Sequence, residues 1–400
     1  MKREKGFSLI ELLVAMAILL VVVSTCTAAI LQAQHVSEAV ALEANLQENL
    51  RAGMHFIVRD LTQAGEGIPA AGISVPNTAA GVSAIARPGT PAPSIFQSQA
   101  APAVTYTTFP PVIPGSQLGS VVTTQNPVTK AILAGGFNTD IITILYEDNT
   151  LVSSAGGAAA PLLTASPVTQ PIAIPGPVCN GVIAANGSTV TLDAGCFTMP
   201  GSPTPIQVGN LIMFHNINGT ALEYVTGIAG QVITFAAGDP AGLNQTGLPN
   251  GTVANLAVAA TPTTISRVWM VTYYLNTVTN PAAPQLMRQV NYPNFPAAAP
   301  ANPPQAVAEV IENLGFSYDI VNSQDPAGTY GLAGPGDAPT SIAPDSPFAF
   351  RAVNVYLGGR SEYPWTGTTT PQFLRNSLNT QISIRSLSFG VLFPTPGILP

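Results

Sequence analysis

Among the residues able to do chemistry, Glu11 stands apart: it is the one charge inside the run from Phe7 to Ile30, which is otherwise dominated by Leu, Val, Ile and Ala. An ionised carboxylate within a membrane helix costs about 2.5–3.5 kcal/mol on insertion scales, so it needs a partner or a purpose. The chemistry available to it is ion pairing with a cation that is itself buried, since each charge is costly alone and tolerable beside its opposite. A Glu that reaches water at the interface, or is protonated, is the plainer alternative. The cysteines come next. Cys179 and Cys196 frame a short polar segment and read as a structural pair, whereas Cys26 lies within the apolar run.

Catalytic constellations are not indicated. His35, His55 and His215 are far apart and fall in no HxH or HExxH spacing, so a metal site has no support from the sequence. Gly358-Gly359-Arg360-Ser361-Glu362 lacks the last glycine of a serine-hydrolase elbow, and no phosphate-cradling GxxxxGK[ST] is present. Glu147-Asp148 and Glu309/Glu312 are spaced as turn and helix-face charges commonly are. No cofactor is expected. The net charge is −7, and three of the thirteen basic residues (Lys2, Arg3, Lys5) precede Phe7. The rest are scattered among carboxylates, without the basic stripe that neutralises phosphates, so nucleic acid is not expected as a direct ligand.

The element that must position Glu11 is a helix. From Phe7 to Ile30 the chain is long enough to cross about 30 Å of hydrocarbon, and the basic residues before it would stay cytoplasmic. Everything after Ile30 then faces the periplasm or the outside. A secretory signal would place its cleavage site after the apolar region and carry no carboxylate near its start; here the order is reversed. Beyond Ile30, Val36, Val40, Ala44, Leu46, Leu50, Met54, Ile57, Val58 and Leu61 recur mostly three or four apart, with Glu38, Glu43, Glu48 and Asp60 between them. No proline occurs before Pro69, so one continuous helix can run from Phe7 to near Ala64, stopped by Gly65 and Gly67.

The remainder is β-rich. Charged residues are 8% of the chain, and Ala, Val, Ile, Thr, Asn, Pro and Gly dominate, as in short strands joined by tight turns. Residues 66–130 and 155–177 read as loops or insertions. Strand-like runs cover Asp140 to Tyr146, Ser188 to Leu192, Asn210 to Phe214, Ala221 to Thr226, Gln231 to Phe235, Ser266 to Leu275, Ala308 to Ile320, Phe348 to Leu357 and Thr380 to Phe393. Asn186-Gly187, Asn218-Gly219 and Asn250-Gly251 are expected as hairpin turns. The fold class is therefore α+β: a long N-terminal helix packed on a mostly antiparallel sheet. The domains expected are residues 1–6 as a leader, 7–30 as the span, 31–65 as the amphipathic half and 66–400 as the head, with an insertion at about 178–259.

Gly6-Phe7-Ser8-Leu9-Ile10-Glu11 resembles the processing and methylation motif of the type IV prepilin family, at every key position. The resemblance implies that a prepilin peptidase cuts between Gly6 and Phe7 and that the new amine of Phe7 is methylated. Glu11 would then pair with the N-terminal amine of a neighbouring subunit and fix axial register during assembly. Further segments are similar to the PilW-like minor pilins and the related minor pseudopilin J of type II secretion. They are Asn49-Leu50-Arg51-Ala52-Gly53-Met54 with Arg59-Asp60-Leu61, Val271 to Leu275 with Leu286-Met287-Arg288, Val307 to Asp319, and Arg351 to Arg360. In this reading Val307 to Leu314 forms a short helix before a strand at Phe316 to Ile320. Arg351, Arg360, Arg375 and Arg385 decorate the last sheet, as contacts between minor pilins or, more plainly, as solvated strand-edge charges or members of local salt bridges.

The resemblance implies a structural subunit, not an enzyme. It would be a single-pass inner-membrane protein with a periplasmic head, moving into a pilus or pseudopilus whose major and minor pilins are its partners. There it would help prime or cap assembly. The alternative is a tip-exposed adhesin or substrate-binding subunit. In the oxidising compartment that this topology gives the head, Cys179 and Cys196 are expected to form a disulfide, with two free thiols or an intersubunit bond as rivals. Cys26 should stay reduced.

Overall fold

The absence of proline before Pro69 has a direct structural consequence: a single helix, Leu9–Gln63, carries the chain from the apolar run into the head. At about 1.5 Å per residue its 55 residues reach roughly 82 Å. The computed structural model describes residues 8–69, 71–78, 81–82, 85–89, 96, 107–129, 132–148, 162–165, 181–192, 206–245, 247–248, 250–257, 262–292, 303–321, 330–333, 350–367 and 370–384. The helix stops where expected. Gly65 and Gly67 take φ of 77° and 71°, in the left-handed region that favours glycine. A Cβ on Gly67 would run into the Glu147 side chain. The departing chain then joins the sheet, Gly65 donating to the Leu145 carbonyl and Glu147 to that of Glu66, both at 2.8 Å.

The centre of the head is the strand Pro262–Asn276, which takes different partners along its length within one twelve-stranded sheet among the described residues. Its C-terminal half lies antiparallel between Ile141–Glu147 (Val271 opposite Ile144) and Gln285–Val290 (Val271 opposite Val290). Its N-terminal half pairs with Leu211–Asn216 and Leu162–Ala165. From there the pairing continues from Leu211–Asn216 to Gly219–Tyr224, whose continuation Gly227–Ala229 pairs with Val232–Thr234. Thr189–Leu192 and Gly181–Ile183 follow, and Gly181–Ile183 runs parallel to Leu162–Ala165. The ring so formed is a small β-barrel. It encloses Ile183, Val190, Leu192, Ile212, Phe214, Val225, Ile233, Phe235 and Ile265, with the one-turn helix Val253–Leu256 against it.

Strand alternation distributes side chains between cores. Ile212 and Phe214 enter the barrel while Leu211 and Met213 enter a second core with Ile73, Val75, Phe109, Ile113, Leu145, Val268 and Met270. On the opposite face of the same sheet, Ile142, Ile144, Val271, Tyr273 and Leu275 meet the helix. Both faces of Ile141–Glu147 are thus covered, which explains its nearly unbroken apolar sequence. A separate four-stranded sheet has the order Tyr330–Ala333, Ile311–Val321, Phe350–Arg360, Arg375–Ser383, and its Leu314, Phe316, Val353, Val355 and Leu357 join the core under the helix. Asp140 staples the two sheets. Its amide donates to Leu314 O at 3.1 Å, and its carboxylate accepts from the amides of Gln117 and Phe316, each at 2.9 Å.

Several expectations need correction. Val307 to Leu314 is not a helix: Gln305–Ala308 pairs with Gln285–Val290, and Ile311–Val321 pairs with Phe350–Arg360. The chain changes sheets between them, with Val310 at φ 55°. Asn186-Gly187 and Asn218-Gly219 do turn hairpins, but Asn250-Gly251 does not. Asn250 bridges to Asn77, and a Cβ on Gly251 would strike the Val75 carbonyl. Residues 66–130 are not loop alone, since Val121–Gln125 forms a hairpin with Ile132–Asn138. The apolar stripe reaches the head later than expected, for Val36 and Val40 remain 53% and 63% exposed.

Candidate assembly interface

The helix has two halves with different surroundings. From Leu9 through Gln34 every residue is exposed, and its most apolar 18-residue window has a mean hydropathy of 2.7. It is long and apolar enough to cross a membrane. From Leu46 onward Leu46, Leu50, Gly53, Met54, Ile57, Asp60 and Leu61 are buried in the head. Packing is tight at Gly53, where an added Cβ would lie 3.0 Å from Ala308 Cβ and 3.0 Å from Leu286 Cδ2.

Glu11 sits in the first turn of the bare half. Its carboxylate accepts the backbone N–H of Ser8 at 3.2 Å, closing one of the amides a helix start leaves unpaired. Cys26 is an exposed free thiol on the same half. Gly6, Phe7, Cys179, Cys196 and Arg385 lie outside the described residues.

The buried end of the helix carries a group that the sequence reading passed over. Asp60 is 0% exposed, and its Oδ2 accepts from Tyr273 Oη at 2.7 Å and Arg288 Nε at 2.6 Å, while Oδ1 takes Arg59 Nε at 3.2 Å. Burial and the nearby Asp60 charge push the Tyr273 hydroxyl far up, and the Tyr146 hydroxyl up to about 12, so both stay protonated. Asp60 holds Arg288 charged against the desolvation of its site. The signal existed in the sequence: Asp60 falls on the apolar stripe, three residues after Ile57, where a solvated charge has no place.

Arg360 and Arg375 are brought together in a local salt-bridge cluster, one of the roles expected of them. Glu312 receives Arg360 Nε at 3.0 Å and Arg375 Nε at 2.8 Å. Arg360 is buried and lies 3.8 Å from the centre of the Phe373 ring, and desolvation is the main cause that lowers its pKa. Arg375 is exposed and Arg351 half-buried. Beside Arg375 an open depression of about 400 Å³ is lined by Phe137, Glu312, Asn313, Tyr356, Gly358 and Ser377 among others. His35, His55 and His215 stay apart, and among the described residues no group of three or more His, Cys, Asp or Glu is placed to hold a metal.

Residues 1–27 match the family described as the prokaryotic N-terminal methylation motif, which marks the chain as a pilin-like or pseudopilin-like precursor. No curated protein and no solved structure matches it.

Proposed function

We propose that this chain is a minor pilin or pseudopilin, cut between Gly6 and Phe7 by a prepilin peptidase and methylated at Phe7. It then waits in the inner membrane with its head in the periplasm. From there it is incorporated as a structural subunit that primes or caps a type IV pilus among other major and minor pilins. The carrying observation is the helix itself: one rigid element has a bare apolar half beginning with Glu11 and a second half built into the head. A neighbour's helix, or lipid before assembly, is the natural cover for the first half. Glu11 at the helix start takes the N-terminal amine of a neighbour in this reading, a reading supported by its being the one charge in the apolar run. The internal segments similar to PilW-like pilins supply the finer assignment, and a type II secretion pseudopilin of the J kind is the other assembly they fit.

Mass spectrometry of the membrane-extracted protein tests processing. The expected N-terminus is methylated Phe7, and any other mature start refutes the cleavage proposal. The same measurement without reductant reads the proposed Cys179–Cys196 disulfide as the loss of two hydrogens, with both thiols alkylatable if the proposal is wrong. Glu11→Leu is expected to leave cleavage intact and reduce incorporation into filaments. Normal incorporation would remove the pairing role.

A tip-exposed binding head is the second reading, favoured by the open depression with its exposed Phe137 and Tyr356 rings. Under it, Tyr356→Ala leaves filaments intact and abolishes attachment.

A further inference from the structure

The segment after Phe350–Arg360 returns to the helix at the lower edge of the head. It is held by its own hydrogen bonds: Ser361 N–H donates to Leu374 O at 2.7 Å, Leu374 N–H to Ser361 Oγ at 3.1 Å, and Trp365 and Gln372 exchange a reciprocal backbone pair at 2.7 and 3.1 Å. Arg360 Nη1 donates to Ser361 O at 2.8 Å from below. On this frame Trp365 is half-buried and its indole N–H donates to the carbonyl of His35 at 3.1 Å, while Thr366 Oγ1 reaches Glu38 Oε2 at 3.4 Å. Gly367 lies flat on the indole, so that a Cβ there would enter the ring. Tyr363 stands 62% exposed beside them.

Height along the helix assigns a use to this pair of aromatics. His35 is five residues beyond Ile30. At about 1.5 Å per residue that is roughly 7.5 Å past the end of the apolar run. The polar layer of a bilayer adds about 5–8 Å on each side of its hydrocarbon core. The run from Phe7 to Ile30, about 36 Å long, fits a core of about 30 Å by tilting. That brings Trp365 to the outer part of the headgroup layer, where amphipathic Trp and Tyr rings are favoured because one edge is apolar and the other wet. Glu38 and the exposed Glu362 flank the rings, which suits zwitterionic rather than anionic headgroups.

We propose that Tyr363 and Trp365 form a membrane-resting foot: before assembly they sit in the zwitterionic headgroup layer and fix the height of the head above the bilayer. The proposal rests on the reading of Leu9 to Ile30 as a membrane span. Leaving the membrane for a filament then requires withdrawing both rings from lipid.

The chain has two tryptophans, so Trp269→Phe leaves Trp365 as the single indole. The full-length variant is reconstituted in phosphatidylcholine vesicles, with and without phosphatidylglycerol, carrying a spin label either near the headgroup or near the end of the acyl chain. The expected result is that the shallow label quenches Trp365 and the deep one does not, with no gain from phosphatidylglycerol. Gly367→Val, which displaces the indole, should lose that quenching. If the Trp269→Phe chain misfolds, the same comparison of wild type with Trp365→Phe isolates the quenched component. A chain that fails to float with vesicles overturns the membrane reading itself. A chain that floats while Trp365 emission ignores the shallow label overturns the foot alone, as does quenching that depends on phosphatidylglycerol. Quenching lost only once filaments form fits withdrawal, whereas protection already present in sparse single-copy vesicles would be against it.

Discussion

Two buried carboxylates show opposite solutions to one problem, the cost of taking a charge out of water. Asp60 is surrounded by cationic and hydroxyl donors. Glu223 lies in the barrel wall and accepts the amide of Val253 at 3.2 Å. Burial, and secondarily the Asp239 charge, push the Glu223 carboxyl well above its usual 4.5, while the Val253 amide pulls it partly back. The native state therefore keeps this proton to higher pH than the unfolded chain does. A state that binds more protons when folded loses stability as pH rises, beginning near the ordinary value of 4.5 and continuing to the raised native one. Glu223→Gln retains an acceptor for Val253 and removes the titration. Its denaturation midpoint should match the wild type in acid below that window and exceed it at alkaline pH. A difference that does not grow with pH would show that Glu223 is ionised in the native state without penalty.

At the scale of elements, the helix was legible because its signals are local: no proline, a 3.6-residue stripe, and glycines at the stop. Its docking was not, because the partners of Asp60 are 213 and 228 residues away in sequence and no local pattern pairs them. The barrel escaped for the same reason, since its closure depends on Leu162–Ala165 running parallel to Gly181–Ile183. Val307 to Leu314 was misread because Val307, Val310, Ile311 and Leu314 also fit a helical face, and it took strand partners in two sheets to decide otherwise. Docking through Asp60 has a measurable strength. Removing one member of a buried ion pair leaves the other uncompensated, at a cost of about 3–5 kcal/mol. Asp60→Ala should lower the unfolding free energy by that amount. Asp60→Leu combined with Arg288→Met should cost less than the two single changes added, because no lone charge remains. Additive losses in that cycle would mean that the pair does not couple helix to sheet.

For the molecule as a whole, the same helix is at once an anchor and part of the core, and the boundary between the two roles can be cut. Leu46, Leu50, Met54, Ile57 and Leu61 are buried in one core with residues of both sheets. Full burial of such a side chain is worth about 1.5–3 kcal/mol, so together they contribute on the order of 10 kcal/mol. That equals the net stability of a typical domain, roughly 5–15 kcal/mol. The bare half contributes nothing comparable to the head, since its residues through Gln34 are exposed. A chain begun at His35 keeps the stripe, Asp60 and the Trp365 contact, and should be soluble without detergent and unfold in one cooperative step. A chain begun at Glu66 uncovers Leu286, Ile311, Phe316 and Leu357, strands Arg288 and Tyr273 without Asp60, and should aggregate or bind a hydrophobic dye strongly. Size-exclusion chromatography and denaturant unfolding of the two chains separate the outcomes. If the shorter chain were as soluble and as stable as the longer, the helix would be a passenger on a self-sufficient head. Rigid coupling between the span and the head would then have no energetic basis.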